Sequence, residues 1–230
     1  MRKISFCISL IIVVIVSSCV TKEPIKKSIA YKGMYSEKPL TVLLMPPINR
    51  STNVDAKQYF HSTLNIPLSN QGFYIVPPFL SMEILRKESA YDTEMFLNSP
   101  LAKFGEVFGA DVALFTIIHK WNKSYAHVIV EVEYIVKSIK TNEILFERHG
   151  EIDYNTAVST NAGGIAGLIA DIALTAINTA TTKYVDVAKS CNLYTFRDLP
   201  VGKYNTLNNL DGEELAGDKV FFVRLNSQYQ

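Results

Sequence analysis

The sequence predicts an α/β fold: a mixed sheet with a parallel βαβ start and antiparallel C-terminal strands, helices packed on the sheet. Three observations carry that expectation. Two short apolar runs, Thr41-Val42-Leu43-Leu44-Met45 and Gly72-Phe73-Tyr74-Ile75-Val76, are each closed by a pair of prolines. Between them Tyr59, Phe60, Leu64 and Leu68 recur at helical spacing. Further along, Val128, Val130, Val132, Tyr134 and Val136 alternate with Glu131, Glu133 and Lys137, the period-two pattern of a strand with one wet face.

The first eighteen residues stand outside this fold. Arg2 and Lys3 precede an apolar run over residues 4–16, and Ser17 and Ser18 follow it. A charged start, a short apolar core and small residues at the end make a secretory signal peptide. The run is short of the ~20 residues that cross a bilayer as a helix. Val16-Ser17-Ser18-Cys19 resembles the lipobox of bacterial lipoproteins. The resemblance implies cleavage before Cys19 and acylation of its thiol. Two or more acyl chains anchor stably, since each buried CH₂ contributes about 0.8 kcal/mol. Val20 stands where an Asp would resemble an inner-membrane retention signal, so sorting to the outer membrane is implied.

Residues 19–39 are expected to form the lipidated cysteine and a flexible tether, polar and rich in lysine. Residues 40–230 are expected to form one α/β domain with an irregular tail. Its first strand covers residues 41–45, an apolar run suited to burial on both faces. Asp55 is placed to cap a helix over residues 56–69, shortened by Pro67. The second apolar run completes the βαβ unit. Ser81 is placed to cap a helix ending near Glu88, and Pro100 to open one over residues 101–108 that stops at Gly109. Residues 112–118 read as another buried strand, and residues 121–125 as a polar turn. The alternating strand from His127 then pairs, through a turn at Thr141-Asn142, with one over residues 143–152. Residues 162–189 read as a helix rich in Gly and Ala, packed on the sheet or self-associating. A last strand over residues 220–225 reads as an edge.

Chemistry-bearing patterns are few. Without Arg2 and Lys3, Lys+Arg falls from 23 to 21 against 22 Asp+Glu, and nucleic acid, which needs a clustered basic surplus, is not an expected partner. Cys7 is discarded and Cys19 modified, so Cys191 stands alone as a buried small residue. His119 and His127 flank one turn, but two imidazoles lack the third ligand of a zinc site. No metal or other cofactor is expected. Glu131, Glu133, Glu143, Glu147 and Glu151 read as a solvated sheet face. Residues 162–167 have Ala162 where a dinucleotide loop needs its first glycine. Hence no catalytic residue is expected, and the chain is not read as an enzyme.

Three stretches carry a resemblance. They are Leu43-Leu44-Met45-Pro46-Pro47-Ile48-Asn49-Arg50-Ser51-Thr52, Gly72-Phe73-Tyr74-Ile75-Val76-Pro77 and Phe104-Gly105-Glu106-Val107-Phe108-Gly109-Ala110-Asp111. Over residues 40–190 they resemble a group of bacterial lipoproteins of unassigned function that includes a Neisseria surface antigen. The same order is similar to CsgG-type secretion lipoproteins and to LpoB, an activator of a peptidoglycan synthase, all sharing a fold like the N-terminal domain of TolB. The resemblance implies a non-catalytic interaction module facing the periplasm from the outer membrane, as an accessory subunit of a CsgG-like assembly. An LpoB-like activator is the alternative, and a small-ligand domain a third. Partners implied are the membrane through its lipid anchor, other envelope proteins and further copies of the chain.

Overall fold

The structure, a computed structural model, describes residues 23–157 and 184–226. Cys19 with Val16, Ser17 and Ser18, and most of the helix expected over residues 162–189, lie outside the described residues. The sheet runs in the order β3 (Tyr74–Ile75), β1 (Thr41–Leu44), β4 (Val112–Ser124), β5 (His127–Ser138), β6 (Ile144–Asn155) and β7 (Val220–Asn226). A two-residue strand β2 (Ile48–Asn49) continues the line of β1 along β4. β1 is parallel to both β3 and β4, the expected βαβ arrangement. β4, β5 and β6 form an antiparallel meander, and β7 joins β6 in parallel at the far edge.

Helices cover the whole of one face and part of the other. On the fully covered face, α3 (Ala56–Thr63), α4 (Asn65–Asn70) and α7 (Tyr184–Phe196) pack over the strands. Phe60, Leu64, Leu68, Val187, Cys191 and Phe196 meet the even-numbered side chains of β5 there. Tyr134 lies between the rings of Phe60 and Phe196. Burial pushes the Cys191 thiol up, so it stays a neutral core group. On the opposite face, α5 (Pro78–Lys87) and α6 (Ala102–Phe108) cover only β1 and the start of β4. They enclose Leu43, Met45, Leu85, Phe104, Ala113 and Phe115.

Several local expectations are corrected. The helix after Asp55 breaks at Leu64, because Pro67 lacks the N–H that would bond to the Thr63 carbonyl. Asp55 makes no side-chain cap; the Asn53 side chain accepts the Asp55 N–H instead, at 3.0 Å. α5 begins at Pro78 and not at Ser81, whose hydroxyl lies inside the helix and bonds back to the Pro78 carbonyl. The second apolar run forms only a two-residue edge strand with Tyr74 exposed. β4 continues through residues 121–124, where a turn was expected, because it pairs with β5 to the end.

The largest correction concerns the tether. Lys27–Ala30 and Lys32–Glu37 are helices, α1 and α2, docked on the domain. Tyr31 and Met34 enter the core, with the Tyr31 ring 5.0 Å from that of Phe146. The backbone clasps the C-terminal loop: Lys27 N–H donates to Glu214 O and Ala216 N–H to Ile25 O, each at 2.8 Å. Lysine content suggested a solvated linker, yet Lys26 and Lys27 pair with Glu213 and Glu214. Among the described residues, the segment from Ile25 on is thus part of the folded body.

Candidate functional site: the open face of the sheet

Beyond the reach of α5 and α6, the odd-numbered residues of β5 and their neighbours on β4, β6 and β7 form a face without a helical layer among the described residues. A β-bulge at its centre decides which groups meet. Ile118 pairs with Val132 and Lys120 with Glu131, so His119 is the extra residue. The extra residue breaks the strict alternation, letting His119 and Lys120 both reach carboxylates of this face while Trp121 returns to the core.

Across β5 and β6, Glu133 stands opposite His149 and Glu131 opposite Glu151. His119 Nε2 lies 3.1 Å from Glu133 Oε2, and His149 Nε2 lies 2.9 Å from Glu131 Oε1. The two imidazole rings stack with centroids 5.2 Å apart. All four side chains are partly buried. His127, which flanks the same turn in sequence, sits at the far end of β5 and pairs with Asp153 at 2.5 Å. In place of the His119 and His127 pair, the structure joins His119 to Glu133 of β5 and His149 of β6. Counting from the Thr141-Asn142 turn could place His149 opposite Glu133, but a bulge leaves no mark in residue type.

The remaining acids of this face have fixed cations. Glu147 pairs with Lys219 at 2.7 Å, Glu151 with Lys120 at 3.9 Å, and Asp153 with Arg224 at 3.4 Å. The expected solvated sheet face is thus largely charge-paired, with Glu143 just ahead of β6. On its β7 edge Val220 and Phe222 are 70% and 58% exposed.

Several residues of the stretches that carry the resemblance shape the backbone. Asp111 accepts the Leu40 and Thr41 N–H groups, both at 2.9 Å, which fixes the entry to β1. Asn49 accepts from Ser51 and donates to Asn53 O, shaping the loop after β2. Gly109 adopts a left-handed conformation that ends α6. Gly72 has φ of +86°, and an added Cβ would lie 2.4 Å from the Asn205 nitrogen. A cleft of about 590 Å³ opens beside the clasp, lined by Glu23, Ile25, Tyr31, Phe146, Leu215 and Asp218 among others. No helix of the described residues is long and apolar enough to cross a membrane.

With this geometry in view, the match to known proteins can be placed on the fold. The model of the family described as "Putative lipoprotein GNA1162-like" matches residues 29–204. The chain belongs to that family. The match begins inside α1, in agreement with the folded N-terminal clasp. A relative, "Putative lipoprotein NMB1124/NMB1162" of Neisseria meningitidis serogroup B, is 22% identical over 171 residues, 70% of this chain and 76% of that protein. Among solved structures, lipoprotein GNA1162 from Neisseria meningitidis is 18% identical, with TM-score 0.47, over 63% of this chain and all of that one. The LpoB C-terminal domain from Salmonella enterica is 15% identical, with TM-score 0.37, over 54% of this chain and 96% of that one.

Proposed function

We propose that this GNA1162-like chain is anchored through acyl chains on Cys19 to the periplasmic side of the outer membrane, where it acts as a non-catalytic interaction module. Its place would be that of an accessory subunit in a CsgG-like envelope assembly, with other envelope proteins and further copies of the chain as partners. The observation that carries this reading is the lipoprotein-family match over residues 29–204, taken with the Val16-Ser17-Ser18-Cys19 lipobox just ahead of it. Two features support it. Asp111 and Gly109, in the stretches that carry the resemblance, serve a strand entry and a helix end, and the described residues leave one face of the sheet without a helix, with Val220 and Phe222 exposed at its edge.

In-cell crosslinking of the wild type and of Cys19→Ser tests the proposal. The wild type should fractionate with membranes and crosslink to specific envelope proteins. The variant should fold equally well, leave the membrane and lose those crosslinks. Absence of any envelope crosslink to the wild type, or undiminished crosslinks to the soluble variant, would defeat it.

A further inference from the structure

The structure assigns a site for a divalent transition-metal ion of the zinc class to His119, Glu133 and His149, with Glu131 beside them. One ligand atom from each of the first three lies within 4.8 Å of the others. Three strands supply them: His119 from the bulge on β4, Glu133 from β5, and His149 from β6. Metal–ligand bonds of ~2.0–2.2 Å, with tetrahedral angles, put ligand atoms roughly 3.3–3.6 Å apart. Small rotamer changes therefore suffice to close the set on an ion, with no change of backbone.

Charge separates this cluster from an ordinary patch of surface ion pairs. Glu147, Glu151 and Asp153 each have a lysine or arginine within 4.0 Å. Among the described residues, the ion-pair partners of Glu131 and Glu133 are the two imidazoles alone. An imidazole is the side chain whose charge is not fixed near neutral pH. Two adjacent, partly buried carboxylates with no lysine or arginine within 4.0 Å among the described residues leave room for a dication. Neutral imidazoles and one carboxylate are the donors such an ion takes, and water takes the fourth position. With His149 ligating through Nδ1, Glu131 Oε1, 2.9 Å from its Nε2, would orient the ring, as the outer partners of metal-bound histidines do.

The test is a titration of the full chain, purified in detergent without a histidine tag and stripped with chelator, with Zn²⁺ alone. Calorimetry should show one ion per chain, and the melting temperature should rise with added Zn²⁺. The H119Q/H149Q variant should bind more than ~100-fold more weakly, beyond the 10–100-fold loss typical of an outer partner. Glu131→Gln should fall within that 10–100-fold range. His127→Gln, which removes an imidazole outside the cluster, should bind as the wild type does. If the double variant fails to fold, Glu133→Gln is read in its place, with the same loss expected as for a ligand. No stoichiometric binding by the wild type would overturn the site. So would wild-type affinity in the ligand variants, or an equal loss in His127→Gln.

Discussion

Asn192, on the buried side of α7, joins three elements at one point. Its Oδ1 accepts from the Tyr134 hydroxyl on β5, and its Nδ2 donates to Thr63 Oγ1 at 2.9 Å and Phe60 O at 3.2 Å on α3. Burial is the cause that keeps the Tyr134 hydroxyl protonated far above its ordinary range. Removing one partner from such a network leaves the others desolvated without a bond, at about 1–3 kcal/mol per group. Asn192→Ala should therefore cost at least ~2 kcal/mol in denaturant unfolding, and an unchanged midpoint would refute the network's role. His61 gives a second residue-scale expectation. Burial, with the Lys57 charge next, holds its imidazole below the ordinary range, and its Nε2 has no bonding partner among the described residues. The unfolded chain thus takes up a proton first as pH falls through ~6.5. Stability from this group is full above that pH and declines below it, by at most about 1.4 kcal/mol per pH unit, until the folded form is also protonated. His61→Gln should flatten the stability profile between pH 7 and 5, measured by urea unfolding at each pH.

Elements that follow local chemistry were legible in the sequence. The period-two run of β5 and the proline pairs after β1 and β3 each correspond to a structural boundary or face. Elements decided by distant contacts were not. Nothing local in residues 25–38 distinguishes a linker from two helices, because Tyr31 and Met34 are buried by β6 and by the C-terminal loop. Tyr31 also donates to Asp198, whose second oxygen accepts the Gly217 N–H at 2.8 Å, and Arg148 lies alongside. The clasp is therefore part of the core: Tyr31→Ala should destabilise by roughly 3–5 kcal/mol, the range for losing a buried aromatic ring. A loss under 1 kcal/mol would return this segment to the status of a linker. The candidate site shows the same division. Alternation made Glu131 and Glu133 readable as a face, whereas the His119–Glu133–His149 grouping depends on a bulge and a cross-strand register. Gly150 illustrates register in the core, since an added Cβ would meet the Phe221 ring at 2.3 Å. Gly150→Ala should cost about 1–3 kcal/mol through overpacking and loosen β7 first, visible as faster amide exchange there than in β5.

At the scale of the whole molecule, the described residues form one helical layer and one largely open face, and the clasp ties the N-terminal segment to the C-terminal loop. Six residue steps lead from Cys19 to Ile25, whose carbonyl makes the first bond to the C-terminal loop among the described residues. At 3.3–3.6 Å per residue that stretch spans at most ~22 Å, against ~70 Å for a free segment of twenty residues. Inserting twenty Gly/Ser residues between Val20 and Thr21 should leave the fold intact and separate two cases. If partners sit at the bilayer, crosslinking should fall; if they sit deep in the periplasm, as for a synthase activator, it should rise. If Cys19 carries the proposed anchor, a domain so closely moored would not fish through the compartment for its partners. It would meet what drifts past in the same sheet of lipid, so its encounters would be two-dimensional, and lateral diffusion would select its company.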